Sequence, residues 1–289
     1  PFYSKLISSL ALAGSNMQLH VFLGLMLIVC FISPANAEAT HNYFKKKHAV
    51  FVGIFEQSSS GTILAQRGSL EPAYVEFEEV GIATDHTSWM VEYRYRLSDR
   101  WKLSAAAYQF ENGGSAVVAE DFNFDGIEYK VDAVVEGLFT LDTYVVDAMY
   151  SVYQTDNTDV SLGLGLHAFD AEASIQAQVA VAGEGSGSTE QARASLLAPL
   201  PNFRASVFHA FDDTWAVMAT VGWLSADIDD YSGSFEYVFL RGQYRVSEAV
   251  GLSLGYQVVA ADITKTLDSG RNEFDITYKG ITAAISYAF

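Results

Sequence analysis

Histidines and carboxylates are the side chains here best suited to moving protons, and few of them fall close together. His86 follows Asp85, and His167 lies three residues before Asp170. An imidazole oriented by a carboxylate can activate water or a serine for hydrolysis. On an extended strand, positions three apart point to opposite faces, so His167 and Asp170 cannot meet. Asp227, Asp229 and Asp230 crowd one short segment, and Glu120, Asp121 and Asp125 another. Such oxygens suit Ca²⁺ or Mg²⁺, but neither run has the regular acidic positions and fixed glycine of an EF-hand loop. Residues 183–188 are glycine- and serine-rich, yet no helix follows to make a phosphate cradle. The expectation is no catalytic residue, no metal site and no cofactor.

A second group of charges is more widely spread: Glu92, Arg94, Arg96, Lys102, Asp147, His167, Arg204, Arg241 and Arg245, with Gln243 among them. They lie in or beside segments that alternate with period two. Trp89, Val91, Tyr93, Tyr95 and Leu97 share one face, while Met90, Glu92, Arg94 and Arg96 share the other. Val160 to Ala168 and Val250 to Ala260 repeat the pattern, with glycine, serine, histidine and glutamine opposite the apolar face. Period-two alternation is the mark of strands with two unlike faces.

The strands come in hairpins. Tyr95-Arg96-Leu97, Ser98-Asp99-Arg100, Trp101-Lys102-Leu103 is repeated as His209-Ala210-Phe211, Asp212-Asp213-Thr214, Trp215-Ala216-Val217 and as Tyr244-Arg245-Val246, Ser247-Glu248-Ala249, Val250-Gly251-Leu252. A looser copy turns at Thr155 to Asp159. Short polar turns between alternating runs predict antiparallel hairpins.

Alternation alone does not say whether the apolar face meets a core or lipid, but four features favour lipid. Aromatics mark strand ends, as a membrane-interface girdle requires: Trp89, Trp101, Trp215 and Trp223. Trp215 and Trp223, eight residues apart on one face, are separated by roughly 20 Å at a 40° tilt, close to the apolar band of a membrane barrel. The chain ends Ile281, Ala283, Ile285, Tyr287, Phe289 on one face, and Ile285, Tyr287 and Phe289 resemble the C-terminal recognition signal that barrel-assembly machinery reads. The opposite faces, rich in Gly, Ser, Thr and charge, are poor material for a dry core. Finally, short turns alternate with long connections near 113–137, 172–198 and 262–273, the asymmetry of periplasmic turns and outer loops.

Ten spanning strands are expected near 47–56, 87–98, 101–112, 139–153, 160–171, 202–211, 214–226, 233–246, 249–261 and 275–289, with eight or twelve as alternatives. The alternating Tyr74–Val80 segment would make an odd count, so it is assigned to the first outer loop as a strand extension or lid. Residues 1–37 read as a signal peptide: the apolar run Val21–Ile32 is followed by Ala35-Asn36-Ala37, an A-x-A cleavage site. Met17 is a possible start, and residues 38–289 form the barrel. The single cysteine, Cys30, lies in that leader behind Val29, so the rest of the chain has no thiol chemistry and no lipidation is expected. The net charge of −18 argues against nucleic acid as a partner.

The stretches Leu162-Gly163-Leu164-Gly165-Leu166-His167, Ala198-Pro199-Leu200-Pro201-Asn202 and Asp230-Tyr231-Ser232-Gly233, with the terminal Tyr287-Ala288-Phe289, resemble small proteobacterial outer-membrane β-barrel proteins. The resemblance implies an all-β antiparallel transmembrane barrel in the outer membrane of a Gram-negative envelope, and no particular activity. The expected partners are outer-membrane lipid and lipopolysaccharide, the assembly machinery through the last strand, and divalent cations at the outer loops. The expected role is structural or surface interaction, around a polar lumen mostly filled by paired charges. The alternatives are a narrow, porin-like channel for small polar solutes and a hydrolase at the outer rim. Proteases of the outer membrane use acid and His–Asp pairs there, and lipid-A-modifying barrels use Ser–His pairs, but no diagnostic motif of either is present.

Overall fold

The computed structural model describes residues 41–67, 73–179, 188–228 and 230–289; the expected signal peptide, the 183–187 loop tip and Asp229 lie outside them. A one-turn helix α1 (Asn42–Lys45) precedes β1 (His48–Arg67), β2 (Val75–Glu76), a 3₁₀ turn (Glu78–Val80), β3 (Asp85–Arg96), β4 (Trp101–Val117), β5 (Phe122–Phe124), β6 (Ile127–Tyr129), β7 (Val134–Gln154), β8 (Thr158–Val179), β9 (Ser188–Ala210), β10 (Trp215–Ile228), β11 (Tyr231–Arg245), β12 (Val250–Leu267) and β13 (Gly270–Ala288). All pairings are antiparallel and consecutive, and β13 returns to β1 from Ala49↔Ala288 to Arg67↔Gly270. The ring has ten strands once the short β2, β5 and β6 are set aside, which closes every edge. His48 and Phe289 exchange backbone hydrogen bonds at 2.9 and 3.0 Å, so both ends of the barrel chain meet on the side of the short turns.

The repeated hairpin has a common cause. Ser98, Asp212 and Ser247 each open a turn, and each side-chain oxygen accepts the amide of the residue that starts the next strand: Trp101 at 3.1 Å, Trp215 at 2.7 Å and Val250 at 3.1 Å. Thr155 does the same for Thr158 at 3.0 Å. A short polar side chain at that position fixes the turn and hence the register of both strands.

The outer wall is apolar over part of its height only. On β13, Ile281, Ile285, Tyr287 and Phe289 are exposed and apolar, and further along Lys279 and Asp275 are exposed and polar. The change recurs around the ring at Glu56, Thr87, Gln109, Asp142, Asp170, Glu236 and Asp262. These lie at linked registers: Glu56↔Thr87, Gln109↔Asp142, Asp142↔Asp170 and Asp262↔Asp275. Trp89 and Trp223 are exposed just short of that border, and Trp101 and Trp215 at the other end beside the turns. Two tryptophans thus stand at each edge of a belt whose width suits the apolar part of a bilayer.

The strands are longer than the sequence led one to expect, and the long outer loops are largely strand. β8 has 22 residues, about 55 Å of height at a 40° tilt, roughly twice the apolar band. The expected loop at 262–273 is instead two strands joined across Asp268 and Ser269. Tyr74–Val80 is both strand extension and lid: β2 pairs with β1 at Ile63↔Val75, and the 3₁₀ turn folds inward so that Phe77, Val80 and Ile82 are buried.

Candidate functional site

The interior divides at the height of the outer border. On the membrane side it holds the charges. Glu92 of β3 faces two guanidiniums, Arg94 at 3.0 Å and Arg241 of β11 at closer contact. Arg204 of β9 places Nε 2.9 Å from Asp147 of β7 and donates through Nη2 to His167 Nδ1 at 2.7 Å. An arginine only donates, so Nδ1 of His167 accepts and its ring is neutral. Gly165 makes this possible: a Cβ there would stand 2.5 Å from Arg204 Nε and 2.6 Å from Asp147 Oδ1. Lys102 of β4 pairs with Asp159 and donates to Ser161 at 2.8 Å, while Ser151 donates to Asp159 at 2.7 Å. Glu92, Arg94, Lys102, Asp147, Ser161, Arg204 and Arg241 line a cavity of about 170 Å³.

Two of the charges find their partners outside the expected network. Arg96 donates to the carbonyl oxygens of Tyr43 and Phe44, capping the C-terminal end of α1 rather than pairing with an acid. Arg245 reaches down to Asp213 in a turn. The sequence pattern ends a turn at Asp159; it is instead a buried residue of β8 and the partner of Lys102.

Helix α1, which no sequence signal marked, sits in the mouth on the short-turn side. Tyr43 stacks on Phe208 at 3.7 Å and accepts from Lys102 Nζ at 3.0 Å, and Asn42 donates to the Glu248 carbonyl at 2.8 Å. His41 packs against Phe208 and accepts the Tyr43 amide through Nδ1. Burial, reinforced by Arg245 and Arg94, lowers the His41 pKa to about 4.

Toward the outer border the charges give way to aromatic rings. Arg241 lies over Phe239 at 4.5 Å and Phe51 at 4.7 Å, and Arg204 over Tyr237 at 4.4 Å. Tyr108 and Tyr278 share a hydrogen bond of 2.8 Å, and Gln257 donates to Tyr108 at 3.1 Å. Beyond this layer the lumen is apolar, which corrects the expectation of a polar lumen throughout. Phe110, Phe139, Leu141, Phe169, Ile175, Leu196, Phe235, Ile263, Phe274 and Ile276 fill it. Phe77 of the lid lies 4.7 Å from Phe139. The hairpin β5–β6 adds Phe124 and Tyr129, whose hydroxyl donates to the Ile175 carbonyl at 2.9 Å. A gap among Leu141, Phe169, Leu196, Ile263 and Ile276 amounts to about 10 Å³, at the lower limit for one water.

The rim residues weighed for chemistry stay apart. His86 contacts the ring of Phe110 at 5.4 Å, and among the described residues no hydrogen bond joins it to a carboxylate. His167 is enclosed near Phe235 and Tyr237, while Asp170 is exposed on the other face. Asp121 serves Lys130 and the Val131 amide, and Asp125 serves Arg67. Their oxygens are occupied by protein donors, and among the described residues no group of three His, Asp or Glu side chains is placed to hold a metal ion. Asp227 and Asp230 are exposed.

No family model and no curated protein sequence matches the chain. Solved structures do. The outer membrane protease OmpT from Escherichia coli aligns at 9% identity with a TM-score of 0.53, covering 84% of this chain and 97% of that one. The Pseudomonas putida toluene transporter TodX aligns at 9% identity over 88% and 92% of the two chains, with a TM-score of 0.34. Neisserial surface protein A aligns at 13% identity over 84% and 97%, with a TM-score of 0.31. Only the first is close enough in shape to bear on the architecture, and at such identity it speaks to the fold alone. A closed ring of ten antiparallel strands, an apolar belt edged with tryptophan and this likeness agree: the chain has the fold of a bacterial outer-membrane β-barrel.

Proposed function

We propose that the protein is an integral outer-membrane barrel that does not conduct, and that it holds a rigid acidic surface outside the bilayer for structural or surface-interaction work. The observation that carries this reading is closure of the outer half of the lumen. α1 narrows the mouth on the short-turn side, and the packed apolar half blocks the other. Ions crossing such a barrel would have to pass a dry layer of phenylalanine and isoleucine, a barrier of the kind that gates channels by dewetting. The exposed carboxylates above the belt, with Lys279 among them, would meet lipopolysaccharide phosphates through divalent cations. The exposed Ile285, Tyr287 and Phe289 on the last strand would be what the assembly machinery reads during insertion.

Planar-bilayer recording on refolded protein tests closure directly. The intact barrel is expected to be silent, and deletion of residues 41–47 is expected to leave it silent, because the apolar half remains. A steady ohmic conductance from the intact protein would overturn the proposal in favour of a channel. A rim hydrolase has no supporting observation among the described residues, since neither His86 nor His167 meets a nucleophile.

A further inference from the structure

The cavity in the inner lumen has a charge character opposite to that of the protein. The chain carries 35 acidic and 17 basic side chains, yet eight of the lysines and arginines line this one cavity against two carboxylates, Glu92 and Asp147. Lys46 and Lys47, next to α1, are among its lining and Lys47 is exposed; Arg204 and Arg241 are buried and form with Arg94 its deep layer. In that deep layer three guanidiniums share two carboxylates. One positive charge is therefore in excess, inside a belt of lipid where excess charge is costly.

The donors are also in surplus. Arg241 is 1% exposed, and its Nη1 is buried without a hydrogen bond. Gln243, two residues along β11 and on the same face, has a buried Nε2 in the same condition. Both side chains line the cavity. Buried donors without acceptors are uncommon and destabilising. A guanidinium beside a carboxamide matches the acceptor geometry of an oxyanion. The cavity of about 170 Å³ takes about six waters at ~30 Å³ each, which is room for an ion of phosphate or acetate size with some of its hydration.

We infer that the inner lumen is a binding site for a small oxyanion, inorganic phosphate or a short carboxylate, held by Arg241 and Gln243 with Arg94 beside them and reached from the periplasmic mouth past the lysines and α1. This goes beyond closure of the barrel: a silent barrel and a conducting one could each hold the ion, so the two tests fail independently.

The experiment is thermal unfolding of the refolded full barrel, followed by heat-modifiable gel mobility, in sodium chloride, sodium phosphate or sodium acetate at one ionic strength and pH. Ligand that binds only the folded state raises the midpoint. A rise of several degrees in phosphate over chloride supports a phosphate-type site, and the same rise in acetate alone assigns a carboxylate. Equal midpoints in all three salts overturn the inference without any variant. Calorimetric titration then locates the site. Gln243→Leu deletes one donor and leaves every ion pair intact, so it is expected to weaken binding roughly tenfold. Glu92→Gln removes the competing carboxylate and is expected to tighten it several-fold. Lys130→Gln, on an outer loop, serves as the control and should bind as the parent does. Unchanged affinity in both Gln243→Leu and Glu92→Gln would overturn the placement.

Discussion

Within the belt, β13 turns Ile281, Ile285 and Tyr287 outward and Thr282 and Ser286 inward; past Gly280 it turns Lys279 and Asp275 outward and Tyr278, Ile276 and Phe274 inward. β12 does the same, with Leu252, Leu254 and Tyr256 outside before Val259, Ala261 and Ile263 inside. On β8, Leu162, Leu164 and Leu166 lie outside and then Phe169, Ala171 and Ile175 inside. One continuous hydrogen-bonded wall therefore serves two solvents. Where the wall meets lipid, its greasy side faces out and the charges face in. Where it meets water, the burial rule of soluble proteins returns and the interior is a packed core. The two halves teach that the lumen's character follows from what lies outside the wall at each height.

The strongest way to break that comparison is to put the same carboxylate in both halves. Phe139 is completely buried in the outer half, and Ala106 faces the cavity in the inner half. Phe139→Asp loses an aromatic side chain and buries an unpaired charge, so a loss of about 5 kcal/mol or more is expected, with protease cleavage of the outer half. Ala106→Asp enters a space lined with guanidiniums and should cost under about 2 kcal/mol. Similar losses for the two, measured by urea unfolding in detergent, would mean that the halves do not differ as described.

How much of this was legible in the sequence follows from the same contrast. Alternation around Trp89–Leu97, Val160–Ala168 and Val250–Ala260 marked the strands, because lipid demands an unbroken apolar face. The shared turn chemistry of Ser98, Asp212 and Ser247 marked the hairpins. The outer half escapes that pattern because its signal is a change of phase, apolar residues passing from odd to even positions across Gly280 or from even to odd across Ala168–Phe169. A search for one greasy face stops at that switch, so the strands ended early and the remainder looked like loop. Asp125-Gly126, both at positive φ (55° and 83°), carry the two-residue hairpin signal for β5–β6. In the candidate site, the charged residues could be named because each sat opposite an apolar neighbour. Their partners could not, because Arg204–Asp147 and Arg241–Glu92 join strands distant in the chain. Asp159, beside a turn in the sequence, gave no hint that the ring closes over it, and the seating of α1 depends on a Tyr43–Phe208 contact that only closure creates.

A smaller effect sharpens the inner half. Arg204→Leu leaves Asp147 buried without its guanidinium and takes the hydrogen-bond donor from His167, so a loss of about 3–5 kcal/mol is expected. Removing Asp147 as well, as Arg204→Leu with Asp147→Leu, should restore much of it, since a buried pair is worth little against well-packed apolar side chains. The double-mutant cycle from denaturant midpoints checks this, and additive losses would show that the pair is not a unit.

The smallest expected effect lies at the mouth, where α1 covers the charged half and rests on the single ring of Phe208. His41 has its pKa lowered by burial from 6.5 to about 4, with Arg245 and Arg94 adding to the fall and Asp212 and Asp213 opposing it. The docked state therefore favours the neutral ring, and its Nδ1 accepts the Tyr43 amide only when it carries no proton. A depressed pKa means that the undocked segment takes up the proton first as pH falls. The docking contribution is thus complete above about pH 6.5, falls as pH drops toward 4 and is lost below it, by up to about 3 kcal/mol. Hydrogen exchange at the Phe44 and Lys46 amides, which bond to the His41 and Asn42 carbonyls, should accelerate beyond the intrinsic pH effect between pH 6.5 and 4, while the strand amides stay protected. His41→Gln, which keeps an acceptor but cannot titrate, should flatten the dependence. Protection in α1 that stays constant through that window would show that the mouth is held by Tyr43 stacking on Phe208 and not by the protonation state of its neighbour.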